Sequence, residues 1–372
     1  MRIIQLVSGD LWAGAEVQLY HMVCSMEAQS DIELTVVLLN HGQLERELKA
    51  KGITVYVFDE SKLSTIKIIL QLRKLVTRFK PHVIHTHRNK ENIIGGFISV
   101  IYGCKSVRTV HGVYEYKGGT FYSKRRIFAL LDKLAGRFLQ QRIIAVSEEL
   151  KSKLEVDFPV SKLAVINNSI NAAHIENNAN KNVNISKKEN DIYVCFVGRF
   201  VPVKRVDKFY NLAKAIVEYK SGLNIHFYMI GDGPLWNEIN ERVNADKLES
   251  KIHLTGFVEN TAPYIKVMDL LVFTSDNEGL PMTLLEAMVL GVPVLAGKEL
   301  ITIKQVLCEG KCGFIEDTNN ISTLATRVCN ILTNQDDMLE KSKLARSKVY
   351  DTYLIDSNVK HYIELYKGLL QK

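Results

Sequence analysis

The chain has 372 residues, 47% of them hydrophobic, and a formal net charge of +7, enough for about two cored domains rather than one. No uncharged apolar run reaches the roughly eighteen residues that a membrane-spanning helix needs, and the opening MRIIQLVSGD reads as a strand rather than a leader, so the expectation is a cytoplasmic protein. The six cysteines (Cys24, Cys104, Cys195, Cys308, Cys312 and Cys329) lie scattered in apolar segments, which argues for reduced thiols, and Cys308 with Cys312 has no neighbouring Cys or His cluster to complete a metal site.

From the N-terminus, short β-rich runs follow one another: RIIQLVS, LTVVLLN, TVYVFD, HVIHTH, SVRTVHG and RIIAVS, each separated by a helix-like or loop stretch. This alternation predicts βα repeats and a parallel sheet. Two intervening stretches are strongly basic. Residues 62–80 contain no acid and residues 117–142 contain only Asp132. Residues 1–175 hold 24 Lys+Arg against 16 Asp+Glu, or +8, leaving 24 against 25, or −1, for the rest. A basic face interleaved with Ile, Leu and Phe can adsorb to anionic lipid, although a solvated helix with its other side in the core gives the same pattern. No nucleic-acid recognition motif accompanies these patches.

Residues 171–190, NAAHIENNANKNVNISKKEN, are Asn-rich with few large apolar side chains and read as a linker or surface loop. The rhythm then restarts with DIYVCFVGRF, NIHFYMIGDG, KIHLTGFV, LLVFTSD and VPVLAG. The expected fold class is α/β, with two Rossmann-like doubly wound domains over 1–170 and 191–355. The last segment, 356–372, is a helix able to fold back across the domain junction.

Ligands of open parallel sheets bind outside the carboxyl ends of the strands. His85, His87, His111, Arg199 and the Gly231–Pro234 turn fall at such ends. HTH places two histidines on one side of a strand, a spacing that serves a metal pair or an ordinary strand end. Arg199 and Lys204 flank a Pro-containing loop. They suit a diphosphate, Arg as a bidentate clamp and Lys as a mobile charge, or form a solvated basic pair. GDGP supplies a tight Gly turn, with a helix expected from Pro234. In SDNEGLPMTLLEAMVLGVP, Pro281 marks a helix start, which leaves Glu278 in the loop and puts Glu286 on the second turn. The orphan amides of such a helix start favour an electronegative ligand, and two carboxylates can accept from separate hydroxyls. The same residues also describe a core helix carrying a surface Glu.

Taken together, Gly198-Arg199 with Lys204, Gly231-Asp-Gly-Pro, Gly256-Phe257-Val258 and Glu278-x7-Glu286 resemble the motif series of retaining nucleotide-sugar glycosyltransferases of the GT-B fold, family four (glycosyl transferases group 1). AGAEVQ (13–18), HTH, TVHG and VINNSIN are similar to that family's first-domain loops and linking segment. The resemblance implies two domains facing a cleft, with the donor held mostly by the second. Arg199 and Lys204 would hold the diphosphate, Glu286 the ribose hydroxyls, and Glu278 with the amides of Gly279 and Leu280 the transferred sugar. Gly231, Phe257 and Val258 would line the base pocket. His111 would reach the sugar near the reacting centre, and Gly14 would border the diphosphate and acceptor. The implied reaction is sugar transfer with retained configuration, independent of metal and cofactor, since the nucleotide sugar, UDP by family frequency, is a substrate and no Asp-x-Asp motif is present. Implied partners are the donor and a carbohydrate or lipid-linked acceptor of surface polysaccharide or oligosaccharide synthesis, with an anionic membrane inner face as a surface for peripheral association.

Three departures stand out. Arg205 occupies a position often held by Gly and is expected to point to solvent, Ser169 and Asn171 interrupt the usual linker, and GKELITIKQVL lacks a Gly-Gly. A nucleotide-sugar epimerase on the same plan and a non-catalytic nucleotide-sugar-binding module are the alternatives. A nicotinamide dehydrogenase is disfavoured because SGDLWAGAE lacks G-x-G-x-x-G.

Overall fold

The computed structural model describes residues 1–9, 12, 14–112, 124–183, 185, 187–219 and 222–371. It divides into two units, Met1–Ser169 with Ile355–Lys372, and Ile170–Leu354.

The first unit is built on seven strands, β1 (Arg2–Val7), β2 (Glu33–Leu38), β3 (Thr54–Val57), β4 (Val83–Thr86), β5 (Lys105–Val110), β6 (Arg142–Ala145) and β7 (Leu163–Val165). All pair in parallel in the order β3-β2-β1-β4-β5-β6-β7. Parallel strands need helical crossovers, which cover both faces and so require near-continuous apolar strands. The alternation within β1 shows the consequence. Ile3 and Val7 pack with the helix Gly14–Glu27 on one face, while Ile4 and Leu6 pack with the helices Thr65–Phe79 and Asn89–Tyr102 on the other. The final helix, Ile355–Leu370, belongs to this unit and buries Val359, Tyr362 and Tyr366 on the Ile3 face.

The second unit repeats the plan with β8 (Asp191–Val197), β9 (Asn224–Ile230), β10 (Ile252–Gly256), β11 (Leu270–Phe273), β12 (Val294–Gly297) and β13 (Phe314–Glu316), parallel in the order β10-β9-β8-β11-β12-β13. In each sheet the winding reverses next to its first strand, at β1/β4 and β8/β11, which is where open α/β sheets bind ligands.

Residues 171–190 depart from the linker expectation. Ala172–Asn178 is a helix, because the Asn171 carboxamide accepts from the His174 amide at 2.9 Å as an N-cap, while Ala172, Ile175 and Ala179 turn inward. Asn184 and Ser186 of this segment lie outside the described residues. Ser169 is fully buried and exchanges hydrogen bonds with the Gln18 side chain at 3.0 and 3.3 Å. Of the basic segments, the first forms the helix Thr65–Phe79, burying Ile68, Leu72, Leu75 and Val76. In the second, residues 117–123 lie outside the described residues, and the helix Lys124–Leu134 follows.

Candidate functional site

At the carboxyl end of the second sheet, β8 delivers Gly198 and Arg199. The Gly198 amide donates to the Ile230 carbonyl at 3.0 Å and the Phe200 amide to the Asp232 carbonyl at 2.9 Å, which lays the loop after β8 against the GDGP turn. That approach explains both glycines of the turn. A Cβ on Gly231 (φ +135°) would lie 2.0 Å from the Gly198 carbonyl oxygen, and one on Gly233 (φ +155°) 2.7 Å from that of Phe200. The following helix spans Trp236–Ala245, two residues later than Pro234 suggests, because Gly233 first closes a turn with the Trp236 amide. On the other side, the Gly231 amide donates to the Gly256 carbonyl at 3.1 Å, which brings Phe257, 61% exposed, and half-buried Val258 alongside.

The loop after β11 closes on the loop after β8. The Asp276 amide donates to the Val203 carbonyl, and the Thr274 hydroxyl reaches the carbonyls of Lys204 and Arg205. Lys204 Nζ thereby meets both oxygens of Glu278, at 2.6 and 2.8 Å, and the Ser275 hydroxyl donates to Glu278 Oε1 at 2.6 Å. Glu278 is thus held between a cation and a hydroxyl with its side chain 8% exposed. Arg199 is exposed and makes no ion pair or side-chain hydrogen bond among the described residues. Arg205 corrects the solvent-pointing expectation. Its backbone adopts φ +49°, a conformation suited to Gly, and its guanidinium is held by Asp207 at 2.9 Å and Asp276 at 3.1 Å.

The helix after this loop spans Met282–Leu290 with Pro281 as its N-cap, so Glu286 lies on the second turn. Glu286 is buried, and burial raises its carboxyl pKa, opposed by the Thr261 hydroxyl that donates to Oε2 at 2.7 Å. Gly279 is half-buried and Leu280 buried in the loop just before Pro281. Thr261 and Ser275 were not legible as site residues. Ser275 carries a faint signal, three residues before Glu278, whereas Thr261 lies 25 residues from Glu286 and carries none.

Arg199, Lys204, Gly231, Phe257, Val258, Glu278, Gly279, Leu280 and Glu286 therefore all belong to four neighbouring strand ends and the Met282–Leu290 helix start. This arrangement offers cations to an anion and buried carboxylates to hydroxyls.

In the first unit, Gly14 is exposed at the start of its helix, and Asp10, Leu11 and Ala13 of the preceding loop lie outside the described residues. His85 and His87 point to the same side, their rings stacked 4.4 Å apart. They are engaged by neighbours: His85 by the Tyr366 and Thr109 hydroxyls at 2.6 and 2.8 Å, and His87 by Gln5 Oε1 at 2.9 Å and His111 Nε2 at 3.3 Å. Burial lowers the pKa of His85 to about 3 and of His111 to about 4. No group of three or more His, Cys, Asp or Glu side chains is arranged to hold a metal among the described residues.

Residues 12–174 match the family "Glycosyltransferase Family 4", and residues 177–348 match "Glycosyl transferases group 1". The sequence is 27% identical to the UDP-Gal:alpha-D-GlcNAc-diphosphoundecaprenol alpha-1,3-galactosyltransferase of Escherichia coli over 334 residues, 87% of this chain and 84% of that one. It is 23% identical to the poly(ribitol-phosphate) alpha-N-acetylglucosaminyltransferase of Staphylococcus aureus over 69% of this chain and 49% of that one. The fold is similar to that of Anabaena Alr3699/HepE, solved in complex with UDP-glucose, with a TM-score of 0.81 at 17% identity, covering 99% of this chain and 100% of that one.

Proposed function

The chain belongs to the group 1, family four glycosyltransferases of GT-B fold, and from that premise we propose that it transfers a sugar from UDP to an acceptor hydroxyl with retention of anomeric configuration. The observation that carries this reading is the unpaired Arg199 beside the Lys204–Glu278 pair, with buried Glu286 on the adjoining helix. An arriving diphosphate competes with Glu278 for Lys204, and Arg199 adds a second cation. Glu278, relieved of part of its ion pair, accepts from hydroxyls of the transferred sugar beside the Gly279 and Leu280 amides. Glu286 accepts from the ribose hydroxyls, with Gly231, Phe257 and Val258 at the base. Gly14 borders the diphosphate and acceptor, and His111 acts on the transferred sugar.

In the reaction, the bond from the anomeric carbon to the diphosphate oxygen breaks, and the acceptor oxygen bonds to that carbon on the same face. The acceptor's proton passes to the departing diphosphate, whose growing charge Arg199 and Lys204 stabilise without a metal. The E. coli relative's name specifies a UDP-sugar donor and a lipid-diphosphate acceptor, which favours UDP and a lipid-linked or polysaccharide acceptor here. A thermal-shift panel of nucleotide sugars tests the donor site: UDP-sugars raise the unfolding temperature of the wild type and lose that effect in Arg199→Ala. Equal response to GDP-, ADP- and UDP-sugars, or no response, overturns the UDP assignment.

Peripheral association with an anionic membrane is part of the proposal. The helix Asn89–Tyr102 and the segment Lys124–Leu139 pack together yet leave Phe97, Ile101, Ile127, Leu130, Leu134 and Phe138 exposed by 41–69%. Exposed Arg126 and Arg137 accompany them, and the neighbouring helix Thr65–Phe79 adds exposed Lys67, Arg73, Lys74 and Arg78. An apolar surface of this breadth with a basic margin matches an anionic lipid interface. No helix among the described residues is long and apolar enough to cross a membrane. Co-sedimentation with phosphatidylglycerol vesicles, reduced by Leu130→Ser with Phe138→Ser, is the expected result, and equal sedimentation with neutral vesicles contradicts it.

A further inference from the structure

Behind half-buried His111, two further histidines, one glutamine and one tyrosine form a connected buried cluster in the first unit to which the donor chemistry gives no role. Gln5 of β1 is fully buried, and its Oε1 lies 2.9 Å from His87 Nε2. His87, itself buried, presents Nδ1 to His111 Nε2 at 3.3 Å, with the two rings stacked 5.6 Å apart. His85 stacks on His87 with ring centroids 4.4 Å apart and is pinned at both nitrogens, by Tyr366 of the last helix and by Thr109. His111 Nδ1 is buried with no hydrogen-bond partner among the described residues.

A neutral imidazole donates from one nitrogen and accepts at the other, so a chain of such rings transmits direction. The Gln5 carbonyl oxygen can only accept, which puts the His87 proton on Nε2 and leaves Nδ1 as a lone pair. His111 must then donate from Nε2, and its own lone pair sits on Nδ1. We infer that Gln5 and His87 are positioning residues that lock His111 in the Nε2–H tautomer, so that its unpaired Nδ1 accepts a hydrogen bond from a ligand hydroxyl. Burial keeps the rings neutral, since His85, His87 and His111 all have lowered pKa values from desolvation, with neighbouring imidazoles and Arg88 adding to it. The identity of that hydroxyl as one on the transferred sugar rests on the function proposed above. The tautomer itself does not.

The test is nitrogen NMR of the full chain labelled in its histidines, with the rings assigned through His87→Gln and His111→Gln. At pH 7.5 both His87 and His111 should show a protonated Nε2 and a bare Nδ1. A proton on Nδ1 of His111, or a charged ring, overturns the inference. Gln5→Leu should return His111 to a tautomer mixture and lower kcat by about tenfold with the donor KM within about twofold, the mark of lost positioning rather than lost binding. An unchanged tautomer and kcat in Gln5→Leu removes Gln5 from the relay. If Gln5→Leu does not fold, the wild-type tautomer still decides. If the tautomer is as inferred but His111→Gln retains full activity, the relay stands and the sugar contact assigned to His111 falls.

Discussion

Lys204→Met removes the cation that meets Glu278 through two contacts of 2.6 and 2.8 Å. Breaking a fully buried pair costs about 3–5 kcal/mol because a charge is left stranded, whereas an exposed pair contributes at most about 1 kcal/mol. Here Glu278 is 8% and Lys204 24% exposed, and Ser275 remains as a partner, so the loss should fall between these limits at about 2 kcal/mol. In a unit of this size that corresponds to about 4–8 °C in unfolding temperature. Glu278→Gln in the Lys204→Met background removes the stranded charge, so the double variant should recover most of the loss. Thermal unfolding of the wild type, both single variants and the double variant closes the cycle. A coupling below about 0.5 kcal/mol refutes the claim that the two side chains form one unit in the unliganded protein. Turnover separates the two roles of Lys204, because stability recovers in the double variant while transferase activity stays lost.

Burial raises the Glu286 carboxyl pKa, so folding favours its protonated form, and ionisation above the usual glutamate range costs stability. Glu286→Gln should therefore raise the unfolding temperature at pH 7.5 while weakening UDP binding about tenfold through loss of a charged acceptor, readable by calorimetry. Glu91, buried at the start of Asn89–Tyr102, has its pKa raised from 4.5 to about 7, chiefly by desolvation. The sign is the same: its folded form holds the proton longer, so stability falls as pH rises from 4.5 through 7, by about 3 kcal/mol. Glu91→Gln should flatten that decline in denaturant titrations between pH 5 and 8. Gly231→Ala places a methyl group 2.0 Å from the Gly198 carbonyl oxygen at φ +135°, and should cost more than about 2 kcal/mol in thermal unfolding and abolish the UDP-induced shift.

Much of the architecture was legible because eleven of the thirteen strands among the described residues carry apolar runs punctuated by turns. The two that escaped, β7 and β13, are three-residue strands at sheet edges, too short to carry a period. The Asn-rich segment misled for a different reason: Asn reads as loop, but Asn171 serves as a helix cap, and its three inward residues are too sparse to stand out. At the site, Arg199, Lys204, Glu278 and Glu286 could be found because strand ends and a Pro-marked helix start locate them. What holds them could not. Thr261 reaches Glu286 and Asp276 reaches Arg205 only through the fold, and the close approach that demands Gly231 involves a carbonyl from another strand's loop.

The most direct measurement is the anomeric configuration of the product. With a UDP-α-hexose and a lipid-diphosphate sugar acceptor, proton NMR should show an α-linked product formed in step with UDP release, and none from Lys204→Met or Glu278→Ala. A β-linked product contradicts retention, and epimerised donor without an acceptor contradicts the transferase account itself.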